Sequence, residues 1–191
     1  MKRTFNYTEA VRAVVKDIIR HVPAFKHVKI SKVLFSFAKA RQRTDHGVYA
    51  KIVPLRFEGG KNVAKKGKKT LMTPKWTFRG KIYLYILYVY MPRFHDQPMF
   101  EKIMTLIHEL YHISPECDGD LRHFAGGRYH GHSEEAYERT IEPWVHEYLK
   151  KRENAEVLDF LRIPTEEIER KLGKLTGLHV QLPTMTITTR Q

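Results

Sequence analysis

Apolar residues recur at helical spacing in two stretches of the chain. In Thr8–His21 they recur every three or four residues, with Thr8 placed to cap the helix and a proline at position 23 to end it. The same spacing returns in Pro98–Ile113. A third helix, Glu134–Lys151, is predicted by acidic residues in its first turn and lysines in its last. A proline also precedes a short predicted helix at Thr165–Leu172.

Three other stretches have the pattern of β-strands. They are Lys32–Ala38, Val48–Phe57 with an interruption at Pro54, and Trp76–Met91. The last has apolar or aromatic residues on both faces, so we expect it to be covered on both sides. The basic stretch Gly59–Lys69 is predicted to be a loop. Together these elements predict an α+β fold.

Composition narrows the class of protein. The 191 residues include 42% hydrophobic and 29% charged residues, which is typical of a globular chain. We expect one main domain at residues 1–150 and a C-terminal extension at 151–191.

A single cysteine, Cys117, favours a reducing compartment. The longest apolar run, Ile82–Met91, is too short to span a bilayer. The first residues lack the apolar core of a signal peptide, so we expect a cytoplasmic protein without a membrane partner.

The charge balance suggests an acidic partner. The chain has 34 Lys and Arg against 21 Asp and Glu, a formal net charge of +13, and nucleic acid is the commonest polyanion that such proteins bind. The densest basic stretch could contact phosphates through five lysines, Lys61, Lys65, Lys66, Lys68 and Lys69. The alternative is a solvated, flexible loop. Since the stretch lacks the Gly-Lys-Ser/Thr ending of a P-loop, nucleotide hydrolysis is not indicated.

The sequence His-Glu-x-x-His within the second helix is the main chemical signal. His108 and His112 are four residues apart, so a helix places both imidazoles on one face, where they can bind one Zn²⁺. Glu109 lies beside them and can act as the general base that activates a water. Because charged and polar groups are costly to bury without a partner, their position in an apolar helix favours a functional site.

Catalytic zinc takes three protein ligands, and the sequence leaves several candidates for the third one. His132 is preferred and His130 is the alternative, since both precede the third predicted helix. Other acidic or histidine residues downstream remain possible, namely Asp118, His123, Glu134, Glu135 and Glu138. A tyrosine hydroxyl near the zinc could stabilise an oxyanion, and Tyr137 is the candidate for this role.

The segment HELYHISPECDGDLRHFAGGRYHGH at positions 108–132 resembles the putative phage metallopeptidase family, as do FAKARQRTDHGVYAKIVPLRFEGG and LYVYMPRF upstream. The resemblance covers roughly residues 33–149 and extends to the SprT-like zinc proteases. It implies a zincin-like fold, a small mixed sheet packed against the active-site helix, and one Zn²⁺ per chain. It also implies His108 and His112 as ligands, Glu109 as general base, and a third ligand near His132.

Two functions follow from these observations. The first is a zinc metallopeptidase that hydrolyses peptide bonds in a protein or peptide substrate. The second is a basic nucleic-acid-binding protein whose zinc is structural and closed by a fourth protein ligand. A protease that acts on nucleoprotein would combine the two. The sequence alone indicates no oligomeric state.

Overall fold

The computed structural model describes residues 3–39, 47–73, 75–124, 134–182 and 184–189. Its helices in chain order are α1 (Tyr7–His21), α2 (Arg93–Asp96), α3 (Met99–Tyr111), α4 (Glu134–Arg152) and α5 (Ile168–Leu172). Its strands are β1 (Thr4–Asn6), β2 (Val33–Lys39), β3 (Ala50–Pro54), β4 (Val63–Lys66), β5 (Lys69–Met72), β6 (Thr77–Phe78), β7 (Lys81–Ile82), β8 (Tyr85–Met91), β9 (Lys174–Thr176) and β10 (Thr186–Thr189). This mixture of helices and small sheets confirms the predicted α+β class.

The central sheet has the strand order β2, β8, β3. It is mixed, because β8 pairs in parallel with β2 and antiparallel with β3. Six of the seven residues of β8 are buried, and Tyr90 is half-buried. This confirms that the strand is covered on both faces, as its sequence predicted. The sheet therefore provides a rigid support on which the helices pack.

Helix α1 begins one residue earlier than predicted, and its cap is a different residue. Its apolar face is fully buried through Val11, Val14, Val15 and Ile18. The side chain of Asn6, not Thr8, accepts the hydrogen bond from the N–H of Glu9. Asparagine and threonine both cap helices well. Here Thr8 lies inside the first turn, and its hydroxyl donates to the Asn6 amide oxygen instead.

Helix α3 packs against both β3 and α4. Four residues at helical spacing, Ile103, Leu106, Ile107 and Leu110, have no exposed surface. Helix α4 contributes Ile141, Val145 and Tyr148 to the same core. Since both flanks of α3 are covered, any polar group on it must find partners inside the protein. Among the described residues, no helix combines the length and apolarity needed to cross a membrane.

The region at residues 61–82, which we call the hairpin segment, differs from its prediction. Strands β4 and β5 form a hairpin in which Gly67 supplies a positive φ of 59°, so this part is not a loop. The predicted long strand at 76–91 is also interrupted, because β6 and β7 form a second hairpin before β8 begins. At its turn Arg79 and Gly80 have φ values of 49° and 75°.

The C-terminal segment packs into the same core as the rest of the chain. Leu158, Leu161 and Ile168 are buried there. Strand β9 pairs in parallel with β1, and β10 pairs antiparallel with β5. Between them, the carbonyl of Leu178 accepts the N–H of Phe37 on the edge of β2. The predicted boundary at residue 150 falls inside α4.

Two buried basic side chains, His95 and Lys102, connect this segment to the helices. His95 is 2% exposed, and its Nε2 lies 2.7 Å from the carbonyl oxygen of Ile163. Because a carbonyl only accepts, Nε2 carries the proton, and Nδ1 accepts from the hydroxyl of Tyr7 at 3.0 Å. Lys102 donates to the carbonyl of Leu161 at 2.6 Å. Burial lowers the pKa of both His95 and Lys102.

Candidate metal centre

The two histidines of the motif meet at the end of α3. His108 lies in the last turn, and His112 is the C-cap with helical φ and ψ of −68° and −19°. Their positions one turn apart bring the two Nε2 atoms to 3.1 Å. Two nitrogens bound tetrahedrally to one zinc at about 2.05 Å would be roughly 3.3 Å apart. The observed separation therefore fits a pair of ligands to a single ion.

Glu109 lies beside this pair and contacts the central sheet. Its side chain is buried, and Oε2 accepts a hydrogen bond of 2.6 Å from the backbone N–H of Ile52 on β3. Burial raises the pKa of Glu109 to about 7, although the Ile52 N–H and the charge of Lys51 act in the opposite direction. The carboxyl group is thus held in one orientation and can exchange a proton near neutral pH.

Tyr137 on α4 packs directly against both histidine rings. Its ring stacks on that of His112 at 5.0 Å and 25°, and lies 4.8 Å from that of His108. Its hydroxyl donates to the backbone carbonyl of His108 at 3.2 Å. Burial, followed by the nearby Glu109 carboxylate, raises the pKa of Tyr137. The predicted oxyanion donor therefore lies at the pair, where its ring holds the imidazoles in position.

Arg122 supports the end of α3 from the segment that follows it. Its backbone N–H donates to the carbonyl of His112 at 2.7 Å, and its Nε donates to the carbonyl of Tyr111 at 2.8 Å. Its guanidinium also lies 4.5 Å from the centre of the Tyr111 ring. A helix leaves its last carbonyls without partners and carries a partial negative charge there. One arginine satisfies both needs and fixes the backbone that carries His112.

Two of the alternative ligands, Asp118 and His123, belong to the turn that follows α3. Asp118 accepts hydrogen bonds from the hydroxyl of Ser114 and the N–H of Asp120. His123 bonds through Nε2 to the Asp120 carboxylate at 2.9 Å. Cys117 is buried, and its Sγ accepts from the N–H of Lys29. These contacts give each side chain a role in holding the turn together.

The third ligand is not among the groups that the structure brings together. In the described part of the chain, no set of three or more His, Cys, Asp or Glu side chains is arranged to hold a metal ion. His132 and His130 both lie outside the described residues. Helix α4 begins at Glu134, and Glu138 on that helix is exposed. His132 therefore stays a prediction, with His130 as its alternative.

The five lysines predicted to contact phosphates lie on the first hairpin or just before it. Lys65, Lys66 and Lys69 are on β4 and β5, Lys68 is in the turn between them, and Lys61 precedes β4. All five side chains are exposed. The structure therefore displays three of them on paired strands and the other two beside these strands.

Sequence reasoning missed several groups around the histidine pair. Ile52 acts through its backbone N–H, which no side-chain pattern reveals. Arg122 is ten residues beyond His112 and reaches α3 only because the chain turns back on itself. Tyr90 is a further such group: burial, followed by the charge of Glu109, raises its pKa. Its place in the predicted strand Trp76–Met91 indicated packing rather than a site.

A comparison with protein families gives a match that covers most of the chain. The model of the putative phage metallopeptidase family matches residues 3–134. The matched range includes His108, Glu109 and His112, together with both predicted third ligands. A search of the curated proteins finds no match, and a search of the solved structures finds none.

Proposed function

The chain belongs to the putative phage metallopeptidase family, and we propose that it is a zinc-dependent peptidase of the His-Glu-x-x-His type with a zincin-like fold. The observation that carries the proposal is the arrangement at the end of α3. Two imidazole nitrogens converge there at 3.1 Å, beside a buried carboxyl group held by a backbone N–H. A purely structural pair of histidines would not need that carboxyl group.

The donor set fits zinc. Imidazole nitrogen is a preferred zinc ligand, and the spacing of His108 and His112 matches tetrahedral coordination. We propose His132 as the third ligand, with His130 as the alternative, which leaves a fourth position for water or substrate. Bound zinc supplies a Lewis acid that polarises the substrate carbonyl and makes water acidic. The other parts of the reaction, including proton transfer, depend on the side chains of the protein.

Glu109 is proposed to move the proton during hydrolysis. Its pKa of about 7 means that the carboxylate can take a proton from the attacking water and return it to the leaving amine. The hydrogen bond from Ile52 fixes Oε2, so the carboxyl group does not need to reorient between the two transfers. The ring of Tyr137 packs on both histidines, and Arg122 holds the backbone carbonyl of His112. A role for the Tyr137 hydroxyl as an oxyanion donor stays part of the proposal.

Metal content tests the zinc site. The parent and the variants His108→Ala, His112→Ala, His130→Ala and His132→Ala are purified after zinc is supplied, and bound metal is measured by elemental analysis. We expect about one zinc in the parent, and loss with His108, His112 and one of the other two. His146 on α4 is exposed, so His146→Ala is the matched control and should keep its zinc. A parent without zinc would overturn the proposal.

Hydrolysis tests the role of Glu109. With an unfolded protein as substrate, Glu109→Gln should lower the cleavage rate at least about 100-fold while zinc stays bound. Glu101 is an exposed glutamate in the first turn of the same helix. Glu101→Gln should therefore cleave within about two-fold of the parent. If Glu109→Gln cleaves like the parent, Glu109 is not the general base.

A further inference from the structure

The positive charge of the protein is concentrated in the hairpin segment. Residues 61–82 contain no Asp or Glu and eight cations, Lys61, Lys65, Lys66, Lys68, Lys69, Lys75, Arg79 and Lys81. These 22 residues therefore contribute +8 to the net charge of +13. A single-sign field of this density attracts polyanions and raises their association rate.

The cations of this segment differ from those elsewhere in their partners. Within the described residues, none of the eight forms an ion pair, whereas six cations on the helices and the C-terminal segment do, namely Arg12, Lys151, Arg152, Arg162, Arg170 and Lys171. Lys66 and Lys69 even face each other across the β4–β5 ladder. Like charges in directly opposite positions destabilise a hairpin, so this charge is not there for stability.

The turn of the second hairpin has a similar feature. Arg79 occupies the first turn position with a φ of 49°, a conformation that favours Gly, Asn or Asp. An arginine there is strained, yet the turn places its guanidinium at the exposed tip, 5.3 Å from the centre of the Phe78 ring. Strain held at an exposed cation is typical of a binding position.

The second hairpin also forms one wall of a cleft. The cleft has a volume of 450 Å³, and its lining includes Arg12, Phe78, Arg79, Lys81 and Tyr83. Three cations, three aromatic side chains including Phe35, and the carboxylate of Glu9, which pairs with Arg12, therefore border one cavity. A cleft of this size is in the range that holds small molecules, and it suits one unstacked base with its phosphate.

We propose that the hairpin segment binds single-stranded nucleic acid. The exposed lysines of the first hairpin contact successive phosphates, while Arg79 and Lys81 hold the backbone where a base enters the cleft beside Phe78 and Tyr83. Only five chain steps separate Met72 from Thr77, so the ends of the two hairpins are at most about 17 Å apart. One short strand can therefore contact both.

The combination of groups favours this partner over three others. An acidic protein would satisfy the lysines, but it does not carry a ring beside each anionic group, as a nucleotide does. An anionic membrane is less favoured, because the two hairpins contain no amphipathic helix that could insert into it. A duplex offers phosphates but keeps its bases stacked, so it would use the lysines and leave the cleft empty.

Fluorescence anisotropy with a labelled DNA strand of about 20 nucleotides tests the proposal. Two test variants each remove two charges, Lys65→Gln with Lys68→Gln on the first hairpin, and Arg79→Gln with Lys81→Gln on the second. The control removes two exposed lysines elsewhere, Lys26→Gln with Lys150→Gln. Binding is measured from about 50 to about 300 mM salt, and circular dichroism checks that all variants fold.

We expect each test variant to bind about ten-fold more weakly, with the slope of log K against log salt reduced by about 1.4. The control should stay within about two-fold of the parent. Polyglutamate and a duplex of equal length should compete more weakly than the unlabelled strand. Equal losses in test and control variants, equal competition by polyglutamate or the duplex, or no binding at low salt would overturn the proposal. Because the assay measures binding without hydrolysis, its outcome is independent of the proposed peptidase activity.

Discussion

The end of α3 and the hairpin segment carry polar chemistry in opposite ways. At the end of α3, Glu109 and His112 are buried, and aromatic rings and backbone hydrogen bonds fix their orientation. In the hairpin segment the cations are exposed and lie on thin sheets whose strands have largely exposed faces. Bond chemistry requires one geometry, whereas attraction to a flexible polyanion tolerates many. The chain therefore packs its polar groups tightly where their orientation matters and leaves them exposed where charge alone is sufficient.

The sharpest test of this contrast is the same substitution in both regions. Ile107 on α3 is fully buried, and Ile187 on β10, which pairs with the first hairpin, is 57% exposed. Ile107→Ala should lower the free energy of unfolding by about 2–5 kcal/mol, because it leaves a cavity in the core. Ile187→Ala should change it by less than about 0.5 kcal/mol. Urea unfolding measures both, and equal effects would mean that the small sheet has a core of its own.

Buried titratable groups around α3 should make stability depend on pH. The folded-state pKa of His95 lies below its ordinary value of 6.5, so below that value the unfolded state binds more protons. The contribution of His95 to stability should therefore fall as the pH drops from 7 through 6.5 towards the folded pKa, whereas Glu109, whose pKa is raised to about 7, contributes in the opposite direction. His95→Gln should cost about 1–3 kcal/mol at pH 7, and the difference between its stability and that of the parent should shrink as the pH falls below 6.5. The exposed His146 provides the control, and His146→Gln should keep the slope of the parent.

A smaller effect is expected from one hydroxyl at the candidate metal centre. Tyr137→Phe removes the hydrogen bond to the His108 carbonyl but keeps the ring on both imidazoles. It should cost about 0.5–1.5 kcal/mol and retain zinc. Tyr83→Phe is the control in the cleft, where the hydroxyl has no hydrogen bond to the described residues, and it should change stability by less than about 0.5 kcal/mol. Thermal unfolding and metal analysis distinguish these outcomes.

The smallest effect has the opposite sign. Lys69→Glu replaces the like-charge pair with Lys66 by an attractive one, so it should stabilise the hairpin by about 0.2–1 kcal/mol. It should weaken nucleic-acid binding at the same time. Lys68→Glu in the turn should weaken binding equally without the gain in stability, since Lys68 faces no lysine across the ladder. If Lys69→Glu is more stable than the parent but binds nucleic acid equally well, this charge pair is not part of the binding surface.

The helices and central strands were predictable from sequence because burial enforces their periodicity. Thr8–His21, Pro98–Ile113 and Glu134–Lys151 match α1, α3 and α4 to within two residues at each end. The hairpin segment was not predictable in this way, because its strands are exposed and lack an alternation of apolar and polar residues. The pairing of β10 with β5 also joins residues more than a hundred positions apart, which no local pattern indicates.

The candidate site was likewise predictable from sequence only in part. His108, Glu109 and His112 were visible because a helix brings residues four apart together. The Ile52 N–H and Arg122 were not visible in the sequence. They belong to a strand and a turn whose contact with the helix is not encoded in local spacing. Tyr137 was selected for its hydroxyl, while the structure shows that its ring stacks on the histidines.

The pairing of the two ends of the chain affects the order in which the protein can assemble during synthesis. Strand β1 joins β9 in parallel, and Leu178 donates its N–H to the Thr8 hydroxyl across 170 positions. The edges of β2 and β5 are covered only when this late segment arrives. A nascent chain that ends at α4 would thus carry the histidine pair on an incompletely covered sheet, with open strand edges that invite aggregation. Folding should therefore finish only after translation has passed residue 189, as is usual for folds that depend on contacts between distant residues.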